Sequence, residues 1–198
     1  MEDSAPLFIP ILLGTVRQKR ESEKVATLLL SHIRSHHPEI ETALFDPRDM
    51  DLPNDDEGTD LAERNLPWKN AIIRADALIV ITPEYNHAFP GSLKRAMDVL
   101  LKEYIHKAVG LIGVSDGWAG GSRAIEALVP VVREMGLIVT FTDMYFPRVP
   151  DLFDEEGKPK DEAVYRRADG FLAELVWMAK TLRWGRENVP SKFHEKPV

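Results

Sequence analysis

The chain has 198 residues, 44% of them hydrophobic, which suits one medium-sized domain with a packed interior and argues against wholesale disorder. Its formal net charge of −7 argues against a nucleic-acid-binding surface, because neutralising phosphates needs clustered Lys and Arg. With no cysteine, a disulfide framework, a thiolate zinc site and a cysteine nucleophile are excluded, and a reducing cytoplasm is the expected setting.

The N-terminal MEDSAP is acidic and the apolar run after it is short, so no signal peptide is expected. No stretch approaches the ~18 apolar residues needed to span a bilayer, so the expectation is a soluble, cytoplasmic protein without membrane or nucleic-acid partners. LFIPILL (7–13) reads as a buried strand. Pro10 lies inside it and cannot donate to a ladder, so it is expected near the strand's start or at a bulge. Residues 22–33 read as a helix with Val25, Ala26, Leu29, Leu30 and Ile33 on one face. ETALFD (41–46) is a second strand, followed by a long acidic loop over 47–60. A short helix over 67–75 follows, with Pro67 at its first position. ALIVIT (77–82) is an unbroken apolar run, as in a strand covered on both faces.

Beyond it, Leu93, Ala96, Met97, Leu100 and Leu101 share a helical stripe, with Ser92 placed to cap its start. AVGLIGVS (108–115) is the fourth strand. The next helix carries Ile125, Leu128, Val129 and Val132 and stops at Gly136. LIVTFTDMYF (137–146) is the fifth strand. A last helix over 161–183 sets Val164, Ala168, Phe171, Leu172, Leu175, Ala179 and Leu182 at helical spacing, before a polar tail over 185–198. There is no internal repeat or low-complexity linker, so a single domain is expected over 1–198.

Strands alternating with helices predict an α/β domain built on a parallel sheet with right-handed crossovers. In such a sheet ligands bind beyond the carboxyl ends of the strands. Three loops there have unusual chemistry. GTVRQKRES (14–22) places a glycine, hydroxyls, Arg17, Lys19 and Arg20 before a helix N-terminus, a combination suited to phosphate. It lacks the glycine spacing of dinucleotide or triphosphate loops. A solvated basic turn with Ser22 as helix cap is the plain alternative. PEYN (83–86) offers Tyr85 to stack on a flat ring and backbone amides to meet its edge, or else is a turn built by Pro and Asn. SDGWAGGS (115–122) has three glycines that let backbone approach a ligand, or that simply make a flexible turn capped by Ser122. A single flat, phosphorylated ligand explains all three together.

His32, His36 and His37 cluster near the end of the first helix, where basic side chains suit the dipole. No carboxylate is obviously paired with them in sequence, so no metal site is expected.

GTVRQKRES, ITPEYNHAFPGSLKRAMD and VSDGWAGGSRAIEAL together resemble the NAD(P)H-dependent FMN reductases, a family that includes many NAD(P)H:quinone reductases. The likeness runs from about residue 7 to 146, and PEYN with its Pro-Gly-x-Leu-Lys continuation is its most specific part. The resemblance implies a flavodoxin-like three-layer fold with a five-stranded parallel sheet in the order 2-1-3-4-5. It implies FMN as cofactor, with Thr15, Val16, Arg17, Arg20 and Ser22 around the phosphate. Pro83, Glu84, Tyr85 and Asn86 would lie along the isoalloxazine, and Ser115, Asp116, Gly117, Gly120 and Gly121 at its other edge. It implies ping-pong transfer of hydride from NADPH or NADH, through FMN N5 with no dedicated side-chain acid or base, to a quinone, free flavin or similar acceptor. It further implies a homodimer or homotetramer. The alternatives are a flavodoxin-type carrier without NAD(P)H oxidation, and a phosphate-binding α/β enzyme without flavin.

Overall fold

A computed structural model describes residues 5–53 and 60–193. The first residues of MEDSAP, the middle of the acidic loop and the last five residues of the polar tail fall outside that range.

The sheet is parallel throughout, and each outer strand is broken by a local feature of sequence. The first strand is β1 (Leu7–Phe8) and β2 (Ile11–Leu13), interrupted at Pro10. The interruption is small, because Ile9 and Ile11 still donate to Glu41 and Ala43 on one side and the Pro10 carbonyl accepts from Ile79 on the other. Proline is tolerated here since strand neighbours 7, 9 and 11 supply the donors toward the second strand; the missing N–H would face the other way. The second strand is β3 (Ile40–Glu41) and β4 (Leu44–Phe45), with Thr42 donating its hydroxyl to the Ile9 carbonyl between them. β5 (Ala77–Pro83) and β6 (Ala108–Val114) are unbroken and pair along their whole length. The fifth strand divides into β7 (Ile138–Val139) and β8 (Met144–Phe146). From the Val109–Val139 pair to the Ile112–Met144 pair, β6 advances three residues and its partner five, so two extra residues bulge outward and carry Phe141 into solvent. With the broken pieces joined, the spatial order is 2-1-3-4-5, the flavodoxin-like winding.

Helices cover both faces. α1 (Ser22–His36) and α7 (Ala163–Asn188) pack on one, contributing Val25, Leu29, Ile33, Phe171, Leu172 and Leu175 to a core with Ile79 and Ile81. α3 (Leu66–Arg74), α4 (Gly91–Asp98) and α5 (Ser122–Glu134) pack on the other, with Trp68, Leu93, Met97 and Leu128 against Leu78 and Val80. Alternate residues of β5 thus serve opposite cores, which is why its sequence is apolar without interruption. Two single-turn helices, α2 (Leu61–Arg64) and α6 (Val149–Leu152), were not legible from periodicity.

Several expectations need correction. Leu28 is buried on α1 while Leu30 is only partly so. α4 ends at Asp98, so the stripe stops short of Leu101, which is 61% exposed. Ser92 does not cap it; the helix starts at Gly91 after Pro90, and the Ser92 hydroxyl donates to the Gly14 carbonyl. Ser22 and Ser122 are first helical residues rather than caps. α7 runs through Gly185 to Asn188 because Arg183 and Arg186 anchor its last turns on Asp76. No helix among the described residues is long and apolar enough to cross a membrane.

Candidate functional site

The carboxyl ends of the strands border a cavity of about 570 Å³, within the usual ~300–1,000 Å³ of small-molecule sites. All three predicted loops contribute to it. The loop after β2 gives Thr15, Arg17, Lys19 and Ser22; β5 and its turn give Pro83, Glu84 and Tyr85; the loop after β6 gives Ser115, Asp116, Gly117 and Trp118. A second cavity of about 650 Å³ lies on the other side of Tyr85 and is lined by Val16, Asn86 and Ser92. Thr15, Arg17, Glu84 and Tyr85 line both cavities. Gly120 and Gly121 border neither. Their left-handed backbones pack under the loop, and a Cβ on Gly121 would lie 2.5 Å from the Val114 amide nitrogen. They shape the loop rather than admit a ligand.

The first loop is held from beneath. Thr15 is 1% exposed, and its hydroxyl lies 2.7 Å from the Tyr85 hydroxyl and accepts from the Arg17 amide. Arg20 is engaged at every nitrogen: it donates to the Thr15 carbonyl, to both oxygens of Asp46 and to Glu23. Burial would raise the Asp46 carboxyl, but the Arg20 hydrogen bonds and the Arg48 amide outweigh it and hold the group below its usual range. Arg48 reaches back to the carbonyls of Val16 and Arg17. Asp46 and Arg48 were missed from sequence. They follow the second strand at the same sheet edge, so extending the edge rule to that strand would have found them.

What remains unpaired faces the cavity. Arg17 and Lys19 have no carboxylate partner among the described residues; the Arg17 guanidinium lies 5.9 Å from the Tyr85 ring centre. Ser22 is 2% exposed, and its hydroxyl has no hydrogen-bond partner. It opens α1, which no side chain caps and whose Glu23 and Lys24 amides donate to the Arg20 and Glu21 carbonyls. An unpartnered buried hydroxyl, two unpaired cations and a helix N-terminus make a donor set that fits the phosphate of FMN.

The second loop is a tight turn. Tyr85 and Ala88 exchange backbone hydrogen bonds across Asn86 and His87, whose φ values are 52 and 66. Two successive left-handed residues give a hairpin-type turn, which asparagine favours. Glu84 turns to the third loop's helix, where its carboxylate accepts from Arg123 at 2.9 Å. Arg123 in turn lies 5.5 Å from the ring centre of Trp118, which is 76% exposed. The third loop is fixed by the residues after β8: Ser115 donates to Phe146, Arg148 donates to Gly117 and Val149 donates to Ser115. Val149 and Pro150 complete the cavity wall, a contribution that sequence reading did not include.

Known proteins share much of this sequence and fold. The family model described as NADPH-dependent FMN reductase matches residues 9–149. A quinone reductase of Pseudomonas putida is 29% identical over 168 residues, covering 78% of this chain and 85% of that one. An FMN-dependent NADPH-azoreductase of Staphylococcus aureus is 33% identical over 132 residues, covering 63% and 69%. Among solved structures, the flavoenzyme NAD(P)H:(acceptor) oxidoreductase FerB of Paracoccus denitrificans superposes with a TM-score of 0.74 at 24% identity, over 88% of this chain and 98% of that one.

Proposed function

The chain belongs to the NADPH-dependent FMN reductase family, and from that membership we propose that it works as an FMN-loaded NAD(P)H oxidoreductase whose acceptor is a quinone. Bound FMN supplies hydride chemistry at N5, between a reduced nicotinamide and an acceptor that takes its place in turn. The protein supplies binding, orientation and electrostatics.

The carrying observation is the donor set at the start of α1, with Ser22 buried and unpartnered beside Arg17 and Lys19. In this reading these groups and the α1 amides hold the phosphate. Arg20, fully engaged by Asp46 and the Thr15 carbonyl, braces the loop instead of meeting the ligand. Tyr85, fixed by Thr15, lines the ring, and the backbone of Pro83 to Asn86 follows one edge. Amides of Asp116 and Gly117 would meet the other edge and would stabilise negative charge there, while the Ser115 amide stays on the Phe146 carbonyl. Asp116 works against that stabilisation unless its carboxylate stays in solvent, where it is exposed. The Thr15 hydroxyl, 2.7 Å from the Tyr85 hydroxyl, keeps Tyr85 in place, and a nicotinamide would need the face of the ring that Tyr85 does not cover.

The exposed Phe141, Trp177 and Trp184 supply apolar surface for a second copy, in a homodimer or homotetramer, and light scattering on the purified protein tests that state. The cysteine-free composition and the use of NADPH suit the cytoplasm. Anaerobic mixing with NADPH separates the oxidoreductase from a flavodoxin-type carrier. Rapid bleaching of the yellow holoprotein without any partner, and recovery of colour on adding a benzoquinone, is the expected result. Absence of bleaching by either nicotinamide contradicts it. Recovery with an azo dye but not with the quinone reassigns the acceptor.

A further inference from the structure

At the far end of α1, fifteen residues and roughly 22 Å from the phosphate loop, the histidines singled out from sequence meet a carboxylate that sequence could not supply. Asp169, on α7, lies between two of them. Its Oδ1 is 2.6 Å from His32 Nε2 and 3.1 Å from His37 Nε2. This corrects the expectation that no carboxylate pairs with the cluster.

The surroundings fix the two rings to different degrees. His32 is 6% exposed and packed between His36, at 4.8 Å between ring centres, and Tyr165, at 5.1 Å. His37 is less enclosed, and its other nitrogen, Nδ1, lies 3.2 Å from Glu39. Both ring nitrogens of His37 thus face carboxylate oxygens, and Glu39 can keep the Nδ1 proton when Nε2 gives up its contact with Asp169 to a metal. A carboxylate behind a histidine, orienting it and raising its basicity, is the arrangement that accompanies metal ligation.

We propose that His32, His37 and Asp169 form a surface zinc site that ties the end of α1 to α7. One ligand atom from each residue lies within 4.8 Å of the others. Tetrahedral zinc, with ligands at ~2.0–2.3 Å, sets those atoms about 3.3 Å apart. Reaching that spacing requires the two imidazole nitrogens to close slightly and the carboxylate to withdraw from His32. Asp169 and His37 can make that adjustment because they stand at the surface, while His32 stays fixed by its ring neighbours. Two imidazoles and one carboxylate suit zinc and its neighbours in the first transition row, and disfavour magnesium and calcium, which take oxygen ligands. The fourth position is left to water. His32 Nδ1 is buried with no hydrogen-bond partner, so binding through Nε2 leaves an unpaired N–H there and limits affinity to the micromolar range. The site lies away from the flavin loops, and the proposal stands whether or not the reading of those loops holds.

The test is titration calorimetry of zinc chloride into tag-free, FMN-loaded protein stripped of metal by a chelator. One zinc per chain with micromolar affinity is expected, with no comparable uptake of magnesium. Asp169→Asn keeps an oxygen for the histidines to bond but removes the charged ligand, and should weaken zinc by about a hundredfold. Glu39→Gln, which touches only His37, should weaken it by roughly tenfold. Absence of saturable uptake below millimolar zinc overturns the proposal. So does equal zinc affinity in the Asp169→Asn protein, which would assign the metal to other surface histidines.

Discussion

The two edges of the sheet use the same kinds of side chain to opposite ends. At the amino edge, just before β5 and β6, Asp76 and Lys107 are buried and fully served. Asp76 accepts from the Phe8 amide, Arg183 and Arg186, and Lys107 donates to the carbonyls of Ile72 and Ile73 that close α3. At the carboxyl edge, Arg20 and Asp46 pair in the same fashion, but the side chains of Arg17, Lys19 and Ser22 have no hydrogen-bond or ion-pair partner among the described residues. Charge alone therefore does not mark the site. What marks it is polar groups held in place by neighbours that are themselves satisfied, and left without a partner of their own. A buried group left so costs free energy, which a ligand can recover.

Removing a group from each edge should separate the two roles. Asp76→Ala takes the carboxylate from Arg183 and Arg186 and the acceptor from the Phe8 amide, and should cost about 3–5 kcal/mol of stability, with FMN affinity of the folded protein unchanged. Urea unfolding and flavin titration on the same preparation check both halves. Gly121→Ala forces a side chain onto a left-handed backbone against Val114, and should cost roughly 1–3 kcal/mol or more while also loosening the third loop. Arg17→Ala is the converse of Asp76→Ala. Stability should stay within about 0.5 kcal/mol, while FMN binding should weaken by about 1.5–3 kcal/mol, the worth of a charge-assisted hydrogen bond.

The subtlest expected effect concerns Lys107. Burial, with Arg186 nearby, pushes its ammonium from 10.5 down to about 7 in the folded protein. Between those values the unfolded chain holds the proton that the folded one has lost. Stability from this group is therefore fully present above the unfolded value and is lost as pH falls toward the folded one. Lys107→Met should flatten that rise of stability with pH, measured by unfolding across the alkaline range, while the pH dependence of FMN binding is unaffected.

The parallel α/β class, the site's edge and its three loops were legible because they depend on local features, apolar runs of strand length and turn residues at their ends, whereas the strand order came only from the family resemblance. The partners were not. Arg20 reads as a phosphate ligand in GTVRQKRES, and only the fold brings Asp46 from the second strand to claim it. Asp169 reads as one more polar residue of α7 until the packing of α7 beside α1 sets it between two histidines. Residues from 185 onward read as a polar tail, yet the hold of Arg183 and Arg186 on Asp76 carries α7 to Asn188. The deciding interactions span 26, 137 and 107 residues, and periodicity carries no information at that range. Gly120 and Gly121 show the reverse error: the freedom ascribed to ligand approach serves close packing against β6 and the segment after β8.

The central claim is that the unpartnered groups at the start of α1 hold a phosphate. Riboflavin carries the same ring as FMN without that phosphate, so the most direct test is a comparison of their affinities for the flavin-free protein. FMN should bind about a hundredfold more tightly, a gap of about 2.7 kcal/mol, and Arg17→Ala should shrink that gap while leaving riboflavin binding unchanged. Equal affinity for the two flavins would contradict the account.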